Sequence, residues 1–424
     1  MWRVSAREAG CPLGDLAASQ LGSDSRINSV FGGSLGADMD LTLNDQQRAW
    51  RDRARTFARD VLAPTVDERD QRQEFPVVEL RAAAAAGLTG LAVPVRWGGA
   101  PADPLGTALV YEEIARVSAS VCVILSVHNS LVAHCLTRWG TAEQRDRYLP
   151  ALARGEILGA YALTEADSGS DAGAMRTTAR RDGDDWILDG RKQFVTTAPY
   201  AGLFIVFAVS HSGERPADGV SAFLVEPGFP GFSVGPDAPK MGLLSSKIAE
   251  LRFDGCRVPG RNLLGVAGRG FRLALELLDT GRIGIGAQAV GIAQAALDAG
   301  LTYSQQRQQF GKPIAEFQAI HWKLADMQTR IDAARLLVWR AAALKDAGQQ
   351  FGREASIAKL FASEAATFCA DAALQIYGGY GYLKAHPVER YYRDAKACEL
   401  YEGTSEIQRL VIARHLLRGN RGEV

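Results

Sequence analysis

Near its C-terminus the chain sets a carboxylate, Glu402, between an aromatic residue, Tyr401, and a glycine, Gly403, followed by Thr404-Ser405-Glu406-Ile407-Gln408-Arg409. Thr404 is a good helix N-cap, and Ile407, Leu410, Val411 and His415 recur at helical spacing. A carboxylate on a turn beside a helix start has free backbone N–H groups next to it. That combination suits removal of a proton beside a carbonyl whose oxygen the N–H groups polarise. Taken alone, the pattern also describes an ordinary helix cap.

Other stretches carry chemistry of their own. The segment from Thr164 through Gly169 and Ser170 to Gly173 is rich in hydroxyls and glycine, which lets backbone approach a flat or phosphorylated ligand. An unspecialised Gly/Ser loop fits it as well. Arg307, Phe310 and Gln318 fall where one helical pattern ends and the next begins. A guanidinium there suits bidentate pairing with phosphate, or is a solvated surface charge. Asp279 and Arg282 are spaced for a helical i,i+3 ion pair, worth roughly 0.2–0.5 kcal/mol if exposed. Gly284-Ile285-Gly286-Ala287-Gln288-Ala289 fits a dinucleotide fingerprint but lies inside a helical run, so its glycines are read as close helix packing. The six histidines do not cluster, the six cysteines show no CxxC pairing, and no metal site is expected.

Four stretches in order carry a resemblance: Tyr161-Ala162-Leu163-Thr164-Glu165 through Gly169-Ser170-Asp171-Ala172-Gly173; Arg307 with Phe310-Gly311-Lys312; Gln375-Ile376-Tyr377-Gly378-Gly379-Tyr380-Gly381; and Tyr401 to Arg409. From about Met39 to the C-terminus the chain resembles the acyl-CoA dehydrogenases, most closely the short-chain, butyryl-type members. The resemblance implies FAD as cofactor and Glu402 as the catalytic base. It implies that Tyr161, Leu163, Thr164, Gly169 and Ser170 contact FAD, that Ser170 also touches the acyl-CoA, and that Phe194, Val195 and Thr196 abut the flavin ring. Here Phe194 stands where the family has tryptophan, which puts that packing in doubt. Arg307, Phe310, Gln318, Gln375, Gly378 and Gly379 match residues that meet the FAD of a neighbouring subunit, and Thr404, Ser405 and Glu406 others near its adenosine. Asp279, Arg282, Tyr401 and Gly403 match the substrate site. Isovaleryl-type members carry their glutamate at the position of Gly281, which here has no side chain to serve.

The whole chain, 424 residues with 47% apolar, 23% charged and zero formal charge, reads as a soluble protein of two or three domains. Without a basic excess nothing calls for nucleic acid or an anionic membrane. No run of 18 wholly apolar residues occurs, so no membrane span is expected, and a reducing, cytoplasmic setting is expected. Residues 1–38 are Gly/Ser/Ala-rich with weak periodicity and are expected to be a disordered tail.

Helical periodicity begins at Asn44 and continues in stretches at about 77–87, 104–118, 121–138 and 142–153. Between about 158 and 270 the period changes to short β-rich runs parted by Gly, Pro and Asp. Long amphipathic patterns return at roughly 271–306, 315–347, 353–379 and 404–417. The expected fold is α+β and multidomain: a tail (1–38), an all-helical N-terminal domain (39–157), a small antiparallel β-barrel (158–270) and a C-terminal four-helix bundle (271–424).

The expected activity is oxidation of a short acyl-CoA, straight or singly branched, to its trans-2-enoyl thioester. Glu402 takes the α-proton and flavin N5 the β-hydride. By resemblance the electrons pass to an electron-transfer flavoprotein, the assembly is a homotetramer, and the pathway is fatty-acid β-oxidation or branched-chain amino-acid catabolism. The helix holding Cys122, Val123, Ile124, Val127 and His128 is expected to close the acyl pocket without a cation. An oxidase on the same scaffold, or a silent member acting as a binding partner, stays open.

Overall fold

The computed structural model describes residues 42–211 and 216–419, so the expectation for the tail at 1–38 lies outside the described residues. Helix α1 (Asp45–Phe57) starts where the periodicity does: the Asn44 side chain accepts from Gln47 N while Asn44 N donates to the Gln47 side chain. Helices α2 (Val66–Arg72), α3 (Val77–Ala85) and α4 (Pro104–Ala115) follow, the last capped by Asp103. Helix α5 (Ala119–Ser126) runs through a wide π-type turn at Val127–Ala133 into α6 (His134–Trp139), and α7 (Ala142–Ala153) closes the helical stretch.

Leu125, Val132 and Leu136 are buried, as their spacing requires. Although Ser126, His128, Asn129 and Ser130 interrupt it, the run Ala119–Trp139 is on average long and apolar enough to cross a membrane. In this fold it is a core helix, with 94% of its apolar window buried inside the protein.

Eight strands come next: β1 (Leu158–Ala162), β2 (Thr178–Asp182), β3 (Asp185–Thr196), β4 (Ala201–Val209), β5 (Val220–Val225), β6 (Phe232–Asp237), β7 (Ile248–Val258) and β8 (Leu263–Leu264). The expected antiparallel barrel is instead one mixed sheet. Its order is β6-β7-β3-β2-β4-β5-β8, a path with two ends, and β1 and β2 both lie parallel to β4. The parallel pairing arises because the β2–β3 hairpin intervenes between β1 and β4, a long-range arrangement that turn signals do not encode. Along β4 the side chains alternate. Leu203, Ile205 and Phe207 join the core shared with the helices, while Phe204, Val206 and Ala208 join a second core between strands.

Five helices follow rather than four: α8 (Gly270–Gln306), α9 (Gln318–Asp346), α10 (Gly352–Tyr377), α11 (Val388–Leu400) and α12 (Ser405–Gly419). Helix α11 is not among those expected, although Val388, Tyr391, Ala395 and Cys398 recur at i, i+3, i+7 and i+10 and pack into the core. Its Arg393 pairs with Asp70 at 2.6 Å and Glu389 at 2.7 Å. Helix α10 lies against α8, α9, α11 and α12. The fingerprint-like glycines are packing devices, as read: a Cβ at Gly284 would stand 2.8 Å from Ser126 Oγ, and one at Gly286 2.9 Å from Val338.

Candidate active site

Glu402 occupies the turn between α11 and α12 with φ 54°, in the left-handed region. Six non-glycine residues among those described have positive φ, and Phe194, Phe310 and Glu402, all singled out by sequence, are among them. Such strain persists only where surrounding structure imposes it. Behind Glu402 the imposing groups are visible. Gln408 Nε2 donates to the carbonyls of Glu402 (3.2 Å) and Gly403 (2.8 Å), and Lys359 Nζ donates to Gly403 O at 2.7 Å.

The carboxylate itself rests on α8 at Gly281, where an added Cβ would stand 2.9 Å from Glu402 Cδ and closer still to Oε2. Glu402 is only partly buried as a residue, yet both carboxylate oxygens are sealed from solvent and neither has a hydrogen-bond partner. Burial pushes its pKa up to about 7, against the pull of Lys359 and then Arg282. This is the range a glutamate base needs to work near neutral pH.

The other expected substrate residues gather here. Arg282 is buried and pairs with Asp279 at 2.6 Å, its Nη1 also 3.3 Å from Ser356 Oγ, so the exposed surface pair weighed above is excluded. Burial lowers the Arg282 pKa and raises that of Asp279. Tyr401 donates its hydroxyl to Gln288 at 2.6 Å, and Thr404 Oγ1 accepts from Ile407 N at 3.4 Å, the cap foreseen for α12. Ser405 is buried with its hydroxyl unpaired, and Glu406 is exposed.

One wall of the site is built from β1, the loop after it, and β3. Tyr161 reaches Ala274 O on α8 at 3.4 Å and senses the Glu402 charge. Buried Lys192 donates to Leu163 O (3.0 Å) and Glu165 (2.7 Å), and Gln193 N donates to Thr164 O. Glu165 in turn accepts from Arg176 N and Thr177 N. These bonds clamp the Tyr161–Ser170 segment against Phe194-Val195-Thr196, where Val195 is buried and Phe194 is 66% exposed. Gly169 has only Thr164 Cγ2 near its Cβ position, so the loop leaves room for a ligand to approach, and Ser170 stands exposed beside it.

The remaining expected cofactor residues are elsewhere. From Gly281 to Gln306 helix α8 continues without a break, about 37 Å at 1.5 Å per residue. At that far end Arg307, Tyr303, Tyr377, Gly378, Gly379 and Tyr380 line a cleft of about 420 Å³. Arg307 lies over the Tyr380 ring and has no carboxylate partner among the described residues. Gly378 and Gly379 would meet nothing within 4 Å. Phe310 is 92% exposed, and Gln318 and Gln375 are exposed.

Three residues escaped the sequence reading: Lys359, Gln408 and Gln288. Lys359 did leave a signal. It is the one lysine on a buried helical face of small residues, Ala355, Ser356, Ala358, Ala362, Ser363 and Ala366. His128 is settled as structural: buried, it accepts from Gly159 N on Nδ1, its Nε2 faces two carbonyls, and burial lowers its pKa to about 4.

The N-terminal, middle and C-terminal domain models of acyl-CoA dehydrogenases match residues 44–156, 160–256 and 268–417. The chain belongs to the acyl-CoA dehydrogenase family. It is 48% identical over 379 residues to an acyl-CoA dehydrogenase of Bacillus subtilis, covering 89% of this chain and 100% of that one. It is 45% identical to the mitochondrial short-chain specific acyl-CoA dehydrogenase of Mus musculus over 381 residues, covering 90% and 92%. Among solved structures, butyryl-CoA dehydrogenase of Megasphaera elsdenii superposes with a TM-score of 0.87 at 42% identity, covering 90% of this chain and 100% of that one. Acyl-CoA dehydrogenases are FAD-dependent oxidoreductases, and this chain is one of them by family. The residues present fit that cofactor: the open glycines, a phosphate-competent Arg307 and an exposed aromatic wall are what a dinucleotide requires.

Proposed function

We propose that this acyl-CoA dehydrogenase oxidises short acyl-CoA thioesters to trans-2-enoyl thioesters, with Glu402 as the α-proton base. The Glu402 carboxylate carries the reading: sealed from water, free of hydrogen-bond partners and held near pKa 7, it is kept available for a proton that only a substrate brings. The Glu402 N–H lies on the same strained turn, whose carbonyls are occupied by Gln408 and Lys359, and it serves to polarise the thioester oxygen. Ser170, Asp279, Arg282, Tyr401 and Gly403 orient the thioester. Phe194, Val195, Thr196 and the Tyr161–Ser170 loop hold the flavin, which supplies the hydride acceptor when bound.

Chain length is set by α5 and the turn after it. Cys122, Val123, Ile124 and Val127 are buried, and Cys122 Sγ donates to Tyr111 O at 3.4 Å. Helix α5 itself offers no cation to meet a distal carboxylate, the Lys345 that lines the neighbouring cavity with Asn129 and Ser130 belonging to α9, and burying a carboxylate alone costs several kcal/mol, roughly 3 or more. Short straight or singly branched chains fit; dicarboxylyl chains do not. The 37 Å between Gly281 and the Arg307 cleft, with exposed Phe310 and Tyr382 beside it, supports a cofactor shared between subunits of an oligomer. An electron-transfer flavoprotein is the acceptor that this reading implies.

The test is anaerobic flavin absorbance with butyryl-, isobutyryl-, octanoyl-, palmitoyl- and glutaryl-CoA, for wild type and Glu402→Gln. Butyryl- or isobutyryl-CoA should bleach the wild type fastest and glutaryl-CoA least. The variant should stay yellow and bleach at least about 10²-fold more slowly. Normal bleaching of Glu402→Gln would assign the base elsewhere, and a preference for palmitoyl- or glutaryl-CoA would overturn the pocket argument.

A further inference from the structure

Lys359 sits in the middle of α10, its side chain wholly buried on a face of small residues, Ala355, Ser356, Ala362 and Ser363. Its Nζ donates to Gly403 O at 2.7 Å, and among the described residues no carboxylate forms an ion pair with it. Burying an ammonium without a carboxylate partner is unfavourable. A methionine or leucine would pack the same space without that penalty, so the charge needs a reason. The nearby acids and bases narrow it. Arg282 is committed to Asp279 at 2.6 Å, and Glu399 to Lys396 at 2.6 Å and Thr367 at 2.5 Å. That leaves Lys359 as a buried cation whose charge no ion pair offsets, directly behind the catalytic turn.

We propose that Lys359 is a positioning residue for Glu402: its ammonium locks the Glu402–Gly403 turn from behind and supplies the uncommitted positive charge against which the buried carboxylate ionises. Gln408 shares the first task, holding both carbonyls of the turn, but has no charge to share the second. The proposal rests on Glu402 being the base. The groups that face Glu402 are Lys359 from α10, Arg282 from α8, Tyr111 from α4, Tyr161 from β1 and Tyr401 beside it. Those facing Lys359 besides Glu402 are Cys398 and Glu399 of α11 and Arg282. Burial lowers the Lys359 pKa to about 8, above the value of about 7 to which Glu402 is raised, so the ammonium is the predominant form where the carboxylate is half ionised.

A nearby cation favours the ionised carboxylate, so removing it raises the pKa of the base. In the holoenzyme, Lys359→Met should move the rising limb of the pH–rate profile for butyryl-CoA bleaching to higher pH by about one unit, a tenfold loss below the limb. KM should stay within about twofold, because the lost contact does not touch substrate. Lys359→Arg should keep the wild-type limb. Gln408→Met, which loosens the turn but keeps the charge, should slow the rate without moving the limb. Infrared difference titration of the carboxylic acid band that Glu402→Gln abolishes reads the same shift without turnover. If Lys359→Met does not fold, Lys359→Gln, which keeps a donor and drops the charge, takes its place with the same expected shift. An unmoved limb and an unmoved infrared titration in the neutral variant would overturn the proposal. If Glu402→Gln bleaches normally, the base assignment fails instead, so the two failures are distinguishable.

Discussion

Gly281→Ala is the sharpest test of how Glu402 is housed. An added Cβ would stand 2.9 Å from Glu402 Cδ and closer to Oε2, where ordinary non-bonded contact begins near about 3.5 Å. The carboxylate must therefore retreat by about 1 Å, and having no hydrogen-bond partner it has nothing to resist the push. Displacement on that scale costs on the order of 10²-fold in rate. Stability should change far less. Replacing a mid-helix glycine by alanine gains up to about 1 kcal/mol, which offsets part of an overpacking cost of about 1–3 kcal/mol. The flavin should remain bound and KM for butyryl-CoA should hold, since the methyl meets the proposed base and not the groups proposed to bind the thioester. Stopped-flow bleaching gives the rate, and a thermal melt confirms the fold. The double variant Gly281→Glu with Glu402→Gly should regain part of the lost rate, because both positions present a carboxylate to one spot. A Gly281→Ala enzyme with kcat within about threefold of wild type would refute the packing argument.

Two further outcomes follow from the same geometry. Because burial raises Glu402 to about 7, the folded protein holds its proton more tightly than the unfolded chain, so the associated stability is present in the acid range and lost as pH rises through about 7. Glu402→Gln should then melt above wild type on the alkaline side of that value, with the gap closing in acid; equal melting temperatures throughout would show the carboxylate to be solvated. Arg307→Ala removes a guanidinium that has no carboxylate partner among the described residues at the far end of α8. Flavin occupancy and assembly should fall together, read by absorbance ratio and light scattering, whereas a flavin-saturated monomer would end the shared-cofactor reading.

Much of this was legible in the chain alone. Periodicity located most helices, since α1 begins at the Asn44 capping box and α8, α9 and α10 follow their apolar spacing within a few residues. Local chemistry marked Thr404 as a cap, and the family resemblance implied Glu402 and drew attention to the bare position of Gly281. Helix α11 was legible and missed, its Val388, Tyr391, Ala395 and Cys398 lying at helical spacing, whereas the parallel pairing of β1 with β4 was not legible, because it depends on partners distant in sequence with a hairpin intervening between them. The same reason hid Lys359. That a lysine amid small residues is buried, that it caps the Gly403 carbonyl, and that Glu402 rests sealed on Gly281 are facts of three helices meeting. Burial and the nearness of charges set a pKa, and both exist only once α8, α10 and the turn before α12 have packed together.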